Sequence, residues 1–461
     1  MLDNPYFILI ALVSGILFLC VSPKYKLVLA LFVMSSCFDL VEHIIAGIDL
    51  WDVGFLMLFI AYVQLLITSG SKPHEKPVYE KILIVFIVWT LIEFAWSLSQ
   101  YPLIPTIKIA RQLVLGYMTY FVYLSFFKAQ NYDLEPFFKL LYWVIFLFVI
   151  LFVAQSALHV PILKSLEREY EGITRSIPGF LAYAFLFTWY HLVRYFSGEK
   201  LSFSEYIYLA LMIVVIMGTY TRSVYFGVMF IVGVMLCLLV KDGKLQLTKV
   251  TSSAIIVFIT FMLLFSTGKL DKMIDRTLSG LQLISGDVGG NSQERQKKDD
   301  SYSGRIAIVK ERFFMGLMAN PVMGYGFVHD DIAFNMLKLR PRSGSIRADK
   351  YNYKYTNRFN LTIYSADATW GNIIINTGIT GLVILIVFIV SVIVAGLRRS
   401  FTDGRVYYYQ CAFLLQFIYT VISSISSNAL SNNIQIPCLF LAGYTVCLQS
   451  QKESGNNDQI T

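Results

Sequence analysis

An arginine between two apolar segments is in a position that suggests chemistry. Arg222 lies in Thr219–Ser223 (TYTRS), where almost no loop separates the segments on either side. A charge at such a position is costly unless it is paired or opens to a water-filled cavity. The planar guanidinium suits phosphate better than the ammonium of lysine does. Arg222 therefore indicates either a phosphate site or an interfacial arginine that reaches lipid headgroups.

Further cationic residues precede or begin other apolar segments. Arg175 lies in 173–179 (ITRSIPG), and Arg111 lies with Lys108 at the start of another segment. Each alone could be an ordinary loop or interfacial residue. Gathered on one side of a membrane, they would make a basic surface that attracts an anionic substrate.

The polar stretch 267–372 contains further candidates. Arg305 lies near the start of the segment 304–318, whose apolar spacing predicts a short helix on the membrane surface. Gly324 and Gly326, in the sequence NPVMGYGF at 320–327, permit a backbone conformation or a close approach that side chains would block. The alternatives are a solvated charge for Arg305 and a simple turn for the glycines.

A general base is expected where the polar stretch returns to the membrane. Partial burial of Asp367 there would raise the pKa of its carboxyl towards the range that a base needs. An aspartate just before a span is also a good helix N-cap, so both roles stay open. His329 with Asp330 and Asp331 is a second, less favoured candidate.

Four acidic residues fall in the outer halves of the early apolar segments. Acids inside spans are candidates for function, and they could equally be counter-ions for Lys108 and Arg111. The four are Asp39, Glu42, Asp52 and Glu93.

Composition defines the class of protein. The 461 residues are 56% hydrophobic and only 15% charged, with a mean hydropathy of +0.61, which excludes a soluble globular protein. The net charge of +8 is better explained by cytoplasmic loops than by nucleic-acid binding. The six cysteines lie in or beside apolar segments, which predicts packed thiols rather than disulfides. Neither a cleavable signal peptide nor metal-ligand spacing is apparent.

About 12–13 transmembrane helices are expected, because a span needs about 20 apolar residues. We predict an all-α polytopic membrane protein with a bundle of about ten helices (1–266), a large extracytoplasmic catalytic loop with short helices (267–372), further spans (373–450) and a cytoplasmic tail (451–461). The predicted spans are 4–22, 27–46, 51–69, 82–99, 109–127, 140–158, 178–196, 205–219, 224–240, 250–266, 373–396, 407–427 and 433–450.

The orientation follows from the basic residues of the short loops. One set of alternate loops contains 15 Lys and Arg residues and the other contains six, which assigns the first set to the cytoplasm. The stretch 267–372 then lies outside, with 16 basic and 11 acidic residues. A basic excess on that side favours an anionic substrate.

Four motifs resemble the O-antigen ligase and polymerase superfamily of bacterial membrane glycosyltransferases. They occur in the family's order around a large outer loop, within residues 170–385: TYTRS at 219–223, SGR at 303–305, NPVMGYGF at 320–327 and GITGL at 378–382. Ligases of the family carry a His-Asn pair eleven residues before the last motif, where this chain has Asp367-Ala368. The resemblance therefore favours a Wzy-type polysaccharide polymerase.

The resemblance implies transfer of a glycan from undecaprenyl pyrophosphate to a sugar hydroxyl of a second lipid-linked acceptor, without metal or nucleotide. It implies that Arg222 and Arg305 stabilise the leaving pyrophosphate, that Arg175 helps to hold phosphate or glycan, and that Asp367 accepts the proton. The cytoplasmic membrane, a flippase and a chain-length regulator are the expected surroundings. The alternatives are an O-antigen ligase and a flippase or other transporter, which usually shows two repeated halves that this sequence lacks.

Overall fold

The computed structural model describes most of the apolar segments and one short part of the polar stretch. The residues described are 13, 15–16, 18, 21–34, 50–69, 76–129, 133–158, 163, 165–170, 173–219, 221–252, 313, 320–328, 369–398, 405–425, 427, 430 and 434–457.

These residues form eleven main helices and one two-stranded hairpin. The helices are α1 (Pro23–Met34), α2 (Leu50–Ser69), α3 (Val78–Gln100), α4 (Leu103–Ala129), α5 (Glu135–Leu158), α6 (Leu181–Phe196), α7 (Phe203–Gly218), α8 (Arg222–Lys241), α9 (Thr369–Arg398), α10 (Arg405–Ser423) and α11 (Gln435–Asn457). The strands are β1 (Ser165–Tyr170) and β2 (Ile173–Pro178), between α5 and α6.

Several helices have the length and composition of membrane spans. Of the described helices, α3, α5, α8 and α9 are long and apolar enough to cross a bilayer. This confirms the predicted all-α polytopic membrane class. The full number of 12–13 spans stays a prediction, since the predicted spans 4–22 and 250–266 lie largely outside the described residues.

One face of α9 is suited to contact lipid. Its exposed apolar residues recur at intervals of three and four, as expected for a single helical face: Val383, Ile386, Val387 and Val390. A different face of the same helix is buried in the bundle through Leu385, Phe388, Ile389 and Val392.

Buried hydroxyl groups connect three helices at the end where α3 begins. Tyr79 of α3 and Tyr120 of α4 both hydrogen-bond the Thr445 hydroxyl of α11, at 2.9 and 3.0 Å. The Tyr120 hydroxyl also donates to Glu80 at 3.4 Å. Such bonds stabilise a membrane bundle because lipid offers no alternative partners. They fix α3 relative to α4 and α11.

The hairpin was not predicted, since hydropathy indicates only a loop between two spans. Gln155 of α5 binds the chain before β1 through both ends of its amide. It accepts from the Leu163 amide at 2.6 Å and donates to the Leu163 carbonyl at 3.2 Å. In the antiparallel register, Arg168 stands opposite Arg175.

Candidate functional site

Residues 320–328 form a tight turn. The Asn320 side-chain oxygen accepts hydrogen bonds from the amides of Val322 and Met323, at 3.0 and 3.2 Å. The Asn320 carbonyl accepts a third, from the Gly324 amide at 2.6 Å. Gly324 and Gly326 have φ of +69° and +73°, a region that other residues avoid. The two glycines therefore have the special backbone conformation that the sequence permits, within the turn that it left open as the alternative. A role for Gly324 and Gly326 in substrate binding stays a prediction.

The turn inserts into a break in α9. Gly378 has φ +63° and ψ −169°, which is not helical. In a continuous helix the Ile379 amide would donate to the Ile375 carbonyl. Here the Ile379 amide donates to the Pro321 carbonyl at 3.0 Å, and the Ile375 carbonyl accepts from the Tyr325 amide at 2.8 Å. The turn thus satisfies both groups of one helical hydrogen bond.

Two glycines allow the turn and α9 to approach backbone to backbone. A Cβ atom on Gly378 would lie 2.1 Å from the Val322 carbonyl oxygen. A Cβ atom on Gly324 would lie 2.5 Å from the Ile375 carbonyl oxygen. Both distances are far below van der Waals contact, so only glycine fits at either position.

The other side of the turn contacts the end of α3. The Phe327 amide donates to Oγ of Ser97 at 2.8 Å, and the Phe327 ring packs edge-on against Phe94. A Cβ atom on Gly326 would meet Oγ of Ser97 at 2.3 Å and the Trp96 ring at 2.9 Å. The close approach predicted for Gly326 is therefore also present.

Tyr101, just after α3, completes this contact. Its hydroxyl donates to the Tyr325 carbonyl at 2.9 Å. Burial raises the pKa of the Tyr101 hydroxyl, and the neighbouring Tyr325 raises it further. The hydroxyl therefore stays protonated through the physiological range and remains a donor.

α3 also supports the broken helix directly. Nε1 of Trp89 donates to the Thr377 carbonyl at 3.0 Å, next to the break. A Cβ atom on Gly381 would lie 3.2 Å from the Trp89 ring, so the two helices approach closely. We call the assembly of residues 89–101 (the end of α3 and Tyr101), the turn 320–328 and α9 residues 374–381 the junction.

Removing the polar contacts between α3 and the turn should destabilise the junction. Ser97→Ala leaves the buried Phe327 amide unsatisfied, and Tyr101→Phe leaves the Tyr325 carbonyl unsatisfied. Each loss costs about 1–3 kcal/mol, so each variant should lower the thermal midpoint of the purified protein. Ser99→Ala is the matched control, because the exposed Ser99 hydroxyl bonds within its own helix: it donates to the Trp96 carbonyl and accepts from Nε2 of Gln100. Equal midpoints for all three variants would show that these bonds contribute nothing.

Two of the predicted arginines lie in described elements, one at the start of a helix and one inside a strand. Arg222 is the first residue of α8, which packs on α10 and α6. Arg175 lies within β2, opposite Arg168. The structure describes the backbone at both positions, and their roles stay predictions.

Arg111 has a partner within the bundle. Its Nη1 lies 2.6 Å from Oδ2 of Asp52 on α2, and the arginine side chain is only 11% exposed. This is the counter-ion arrangement that the sequence left open for Asp52. A role for Arg111 in substrate binding stays a prediction.

The remaining predicted groups lie outside the described residues. They are Arg305, Asp367, His329, Asp330, Asp331, Asp39 and Glu42, together with the predicted surface helix 304–318 apart from Phe313. Among the described residues, no three His, Cys, Asp or Glu side chains lie close enough to share a metal ion.

The contacts of α3 and Tyr101 with the turn and with α9 were not predicted from the sequence. Trp89, Ser97 and Tyr101 are separated from their partners by 288, 230 and 224 positions. No local pattern marks them, because serine and aromatic residues are common in any span.

One region of the chain is similar to a known protein family. The family model described as O-antigen ligase matches residues 207–386. The match, over 180 of the 461 residues, places that part of the chain in the O-antigen ligase/polymerase superfamily. No curated protein matches it significantly.

The superfamily match covers only one side of the junction. It includes the turn, the break in α9 and Arg222, whereas α3 and Arg175 precede it. The match supports a glycan-transferring membrane enzyme acting on lipid-linked substrates.

Proposed function

We propose that this protein is a polysaccharide polymerase of the O-antigen or capsule type. It transfers a glycan from undecaprenyl pyrophosphate to a sugar hydroxyl of a lipid-linked acceptor, at the outer face of the cytoplasmic membrane. The match to the O-antigen ligase family at 207–386 carries the proposal, because that region contains the polar stretch and its basic excess.

Glycan transfer from a pyrophosphate requires cationic groups near the leaving group and a base near the attacking hydroxyl. As the sugar–phosphate bond breaks, negative charge gathers on the leaving pyrophosphate, and preorganised guanidinium groups stabilise it better than water does. Arg222 and Arg305 stabilise the leaving pyrophosphate, and Arg175 and Arg111 hold phosphate or glycan. Asp367 accepts the proton of the attacking hydroxyl.

The junction supports this chemistry by position. It ties the middle of the polar stretch to α3 and α9, so the stretch divides into 267–319 and 329–368. Arg305 belongs to the first part, and Asp367 stands two positions before α9 begins. Chemistry at this face depends on groups held to within about 0.5 Å, and the anchored turn fixes one point of the stretch between Arg305 and Asp367.

Polymerase is preferred to ligase because Asp367-Ala368 stands where ligases of the family carry His-Asn. The ligase alternative retains one argument, the description of the matching family. A deletion strain separates the two. Without a polymerase, cells carry single repeat units on the final acceptor, and the full chain restores long polymer. Without a ligase, long polymer instead accumulates on the lipid carrier, and this result would contradict the proposal.

Asp367→Asn tests the base. The amide cannot accept a proton at neutral pH, so general-base loss should slow transfer by roughly 10²–10⁴-fold. The measurement is polymer yield per molecule of membrane-inserted protein. Because asparagine is also a good N-cap, the variant preserves the alternative role. Unchanged polymerisation would leave Asp367 with capping alone.

A further inference from the structure

Glu93 of α3 is an acidic residue that neither the fold nor the proposed chemistry explains. Its side chain is fully buried, and neither carboxyl oxygen has a hydrogen-bond partner among the described residues. Burying a polar group without a partner is costly, and a costly ionisable residue inside a span is a candidate for function.

Other acids of the early helices do have partners. Asp52 pairs with Arg111 at 2.6 Å. Glu80, at the opposite end of α3 and equally buried, accepts a hydrogen bond from the Tyr120 hydroxyl. Both of these described acids have partners, and Glu93 differs from them.

Helical spacing places Glu93 at the junction. It lies four residues after Trp89 and four before Ser97, so the three share one face of α3. Trp89 donates to α9 beside its break, and Ser97 accepts from the Phe327 amide of the turn. Glu93 thus occupies the middle of the face that binds both.

The turn is attached separately to α9 and to the face of α3 that contains Glu93. Two backbone hydrogen bonds join it to α9 through Pro321 and Tyr325. Two side chains, Ser97 and Tyr101, join it to α3. Separation of the Gly326–Phe327 end from α3 would require breaking the second pair and the contact of the Phe327 ring with Phe94, while the first pair still anchors the turn.

We propose that Glu93 is a substrate-contacting residue, whose carboxyl accepts a hydrogen bond from a sugar hydroxyl of the lipid-linked glycan once the turn lifts from α3. The inference rests on the proposed function. Hydrogen bonding selects the part of the substrate: a carboxyl oxygen accepts hydrogen bonds from sugar hydroxyl groups, whereas an ionised pyrophosphate has no hydrogen-bond donor to offer. The missing partner in the unliganded protein is then supplied by the glycan.

The test compares stability with activity in the full-length protein purified in detergent. Glu93→Met removes a buried unpaired carboxyl, so the thermal midpoint without substrate should rise by about 2 °C or more. The same variant should lose roughly tenfold or more of kcat/KM with lipid-linked repeat units, as expected for a lost hydrogen bond to a charged group. Glu93→Asp, which keeps the carboxyl, should retain part of the activity.

Glu80→Met is the matched control on the same helix. It removes a partner of Tyr120, so its midpoint should fall. A fall of similar size for Glu93→Met would make Glu93 an ordinary structural residue and overturn the inference. A Glu93→Met variant with the kcat/KM of the wild-type protein would also overturn the inference. If the wild-type protein itself transfers no glycan, the proposed function fails and the inference fails with it.

Discussion

Gly378→Ala should abolish most glycan transfer, because the junction has no room for a single added methyl group. The backbone at Gly378 lies in a region that is essentially restricted to glycine and costs other residues about 1–3 kcal/mol. The new Cβ atom would also lie 2.1 Å from the Val322 carbonyl oxygen. The helix can relieve both problems by becoming straight, since alanine favours the helix. A straight α9 would re-form its own hydrogen bond and expel the turn.

Two measurements follow the expulsion of the turn. Transfer by the purified variant should fall at least about tenfold, the result of losing about 1.4 kcal/mol or more of transition-state stabilisation. Hydrogen exchange at the amides of Gly324 and Tyr325 should become faster, because each now donates to a carbonyl.

Gly233→Ala is the control for this experiment. Gly233 lies in α8, has a helical backbone and has no atom within 4 Å of an added Cβ atom. Its substitution should leave transfer and exchange unchanged. Wild-type transfer and protection in Gly378→Ala would show that the contact between the turn and α9 is dispensable.

Arg222→Lys should lose most of the activity although it keeps the positive charge. Lysine offers a point charge, whereas the guanidinium offers two parallel donors to a phosphate. Loss of one preorganised donor for developing charge costs roughly 10²–10³-fold in kcat. Arg222→Ala should leave no detectable polymer, with the protein still present in the membrane at normal amounts.

Arg405→Lys controls for conservative replacement of an arginine. Arg405 begins α10 and pairs with Glu135 in an exposed ion pair, with side chains 71% and 51% exposed. Such pairs contribute little, so the control should polymerise normally. Full-length polymer made by Arg222→Ala would refute the assignment of Arg222 to the leaving group.

The membrane class and the turn could be predicted from the sequence, for local physical reasons. Long apolar runs determine where helices form, and the predicted spans 82–99 and 224–240 correspond to α3 and α8. Gly324 and Gly326 were predicted to need special backbone geometry, and both have positive φ. Glycine can be interpreted from the sequence because its role depends on the φ and ψ angles of its own backbone.

The junction could not be predicted, because its contacts are not local. Gly378 lies in an apolar run that hydropathy interprets as a regular span, and nothing nearby reveals that Pro321 and Tyr325 bond its neighbours. The pairing of Arg111 with Asp52 was open for the same reason: spacing suggested counter-ions without saying which acid meets which base.

The hairpin of β1 and β2 could not be predicted for a different reason. β1 (SLEREY) has too few apolar residues for the alternation that predicts a strand. Its register with β2, and hence the placement of Arg168 opposite Arg175, follows from pairing that a single sequence does not display.

Chain extension by the purified protein tests the central claim most directly. The full-length protein, reconstituted in lipid vesicles, is supplied with one defined undecaprenyl pyrophosphate-linked repeat unit, and product length is read on a gel. We expect a ladder whose steps equal one repeat unit, and no ladder with Arg222→Ala. Movement of the lipid-linked unit across the bilayer without any longer product would contradict the account.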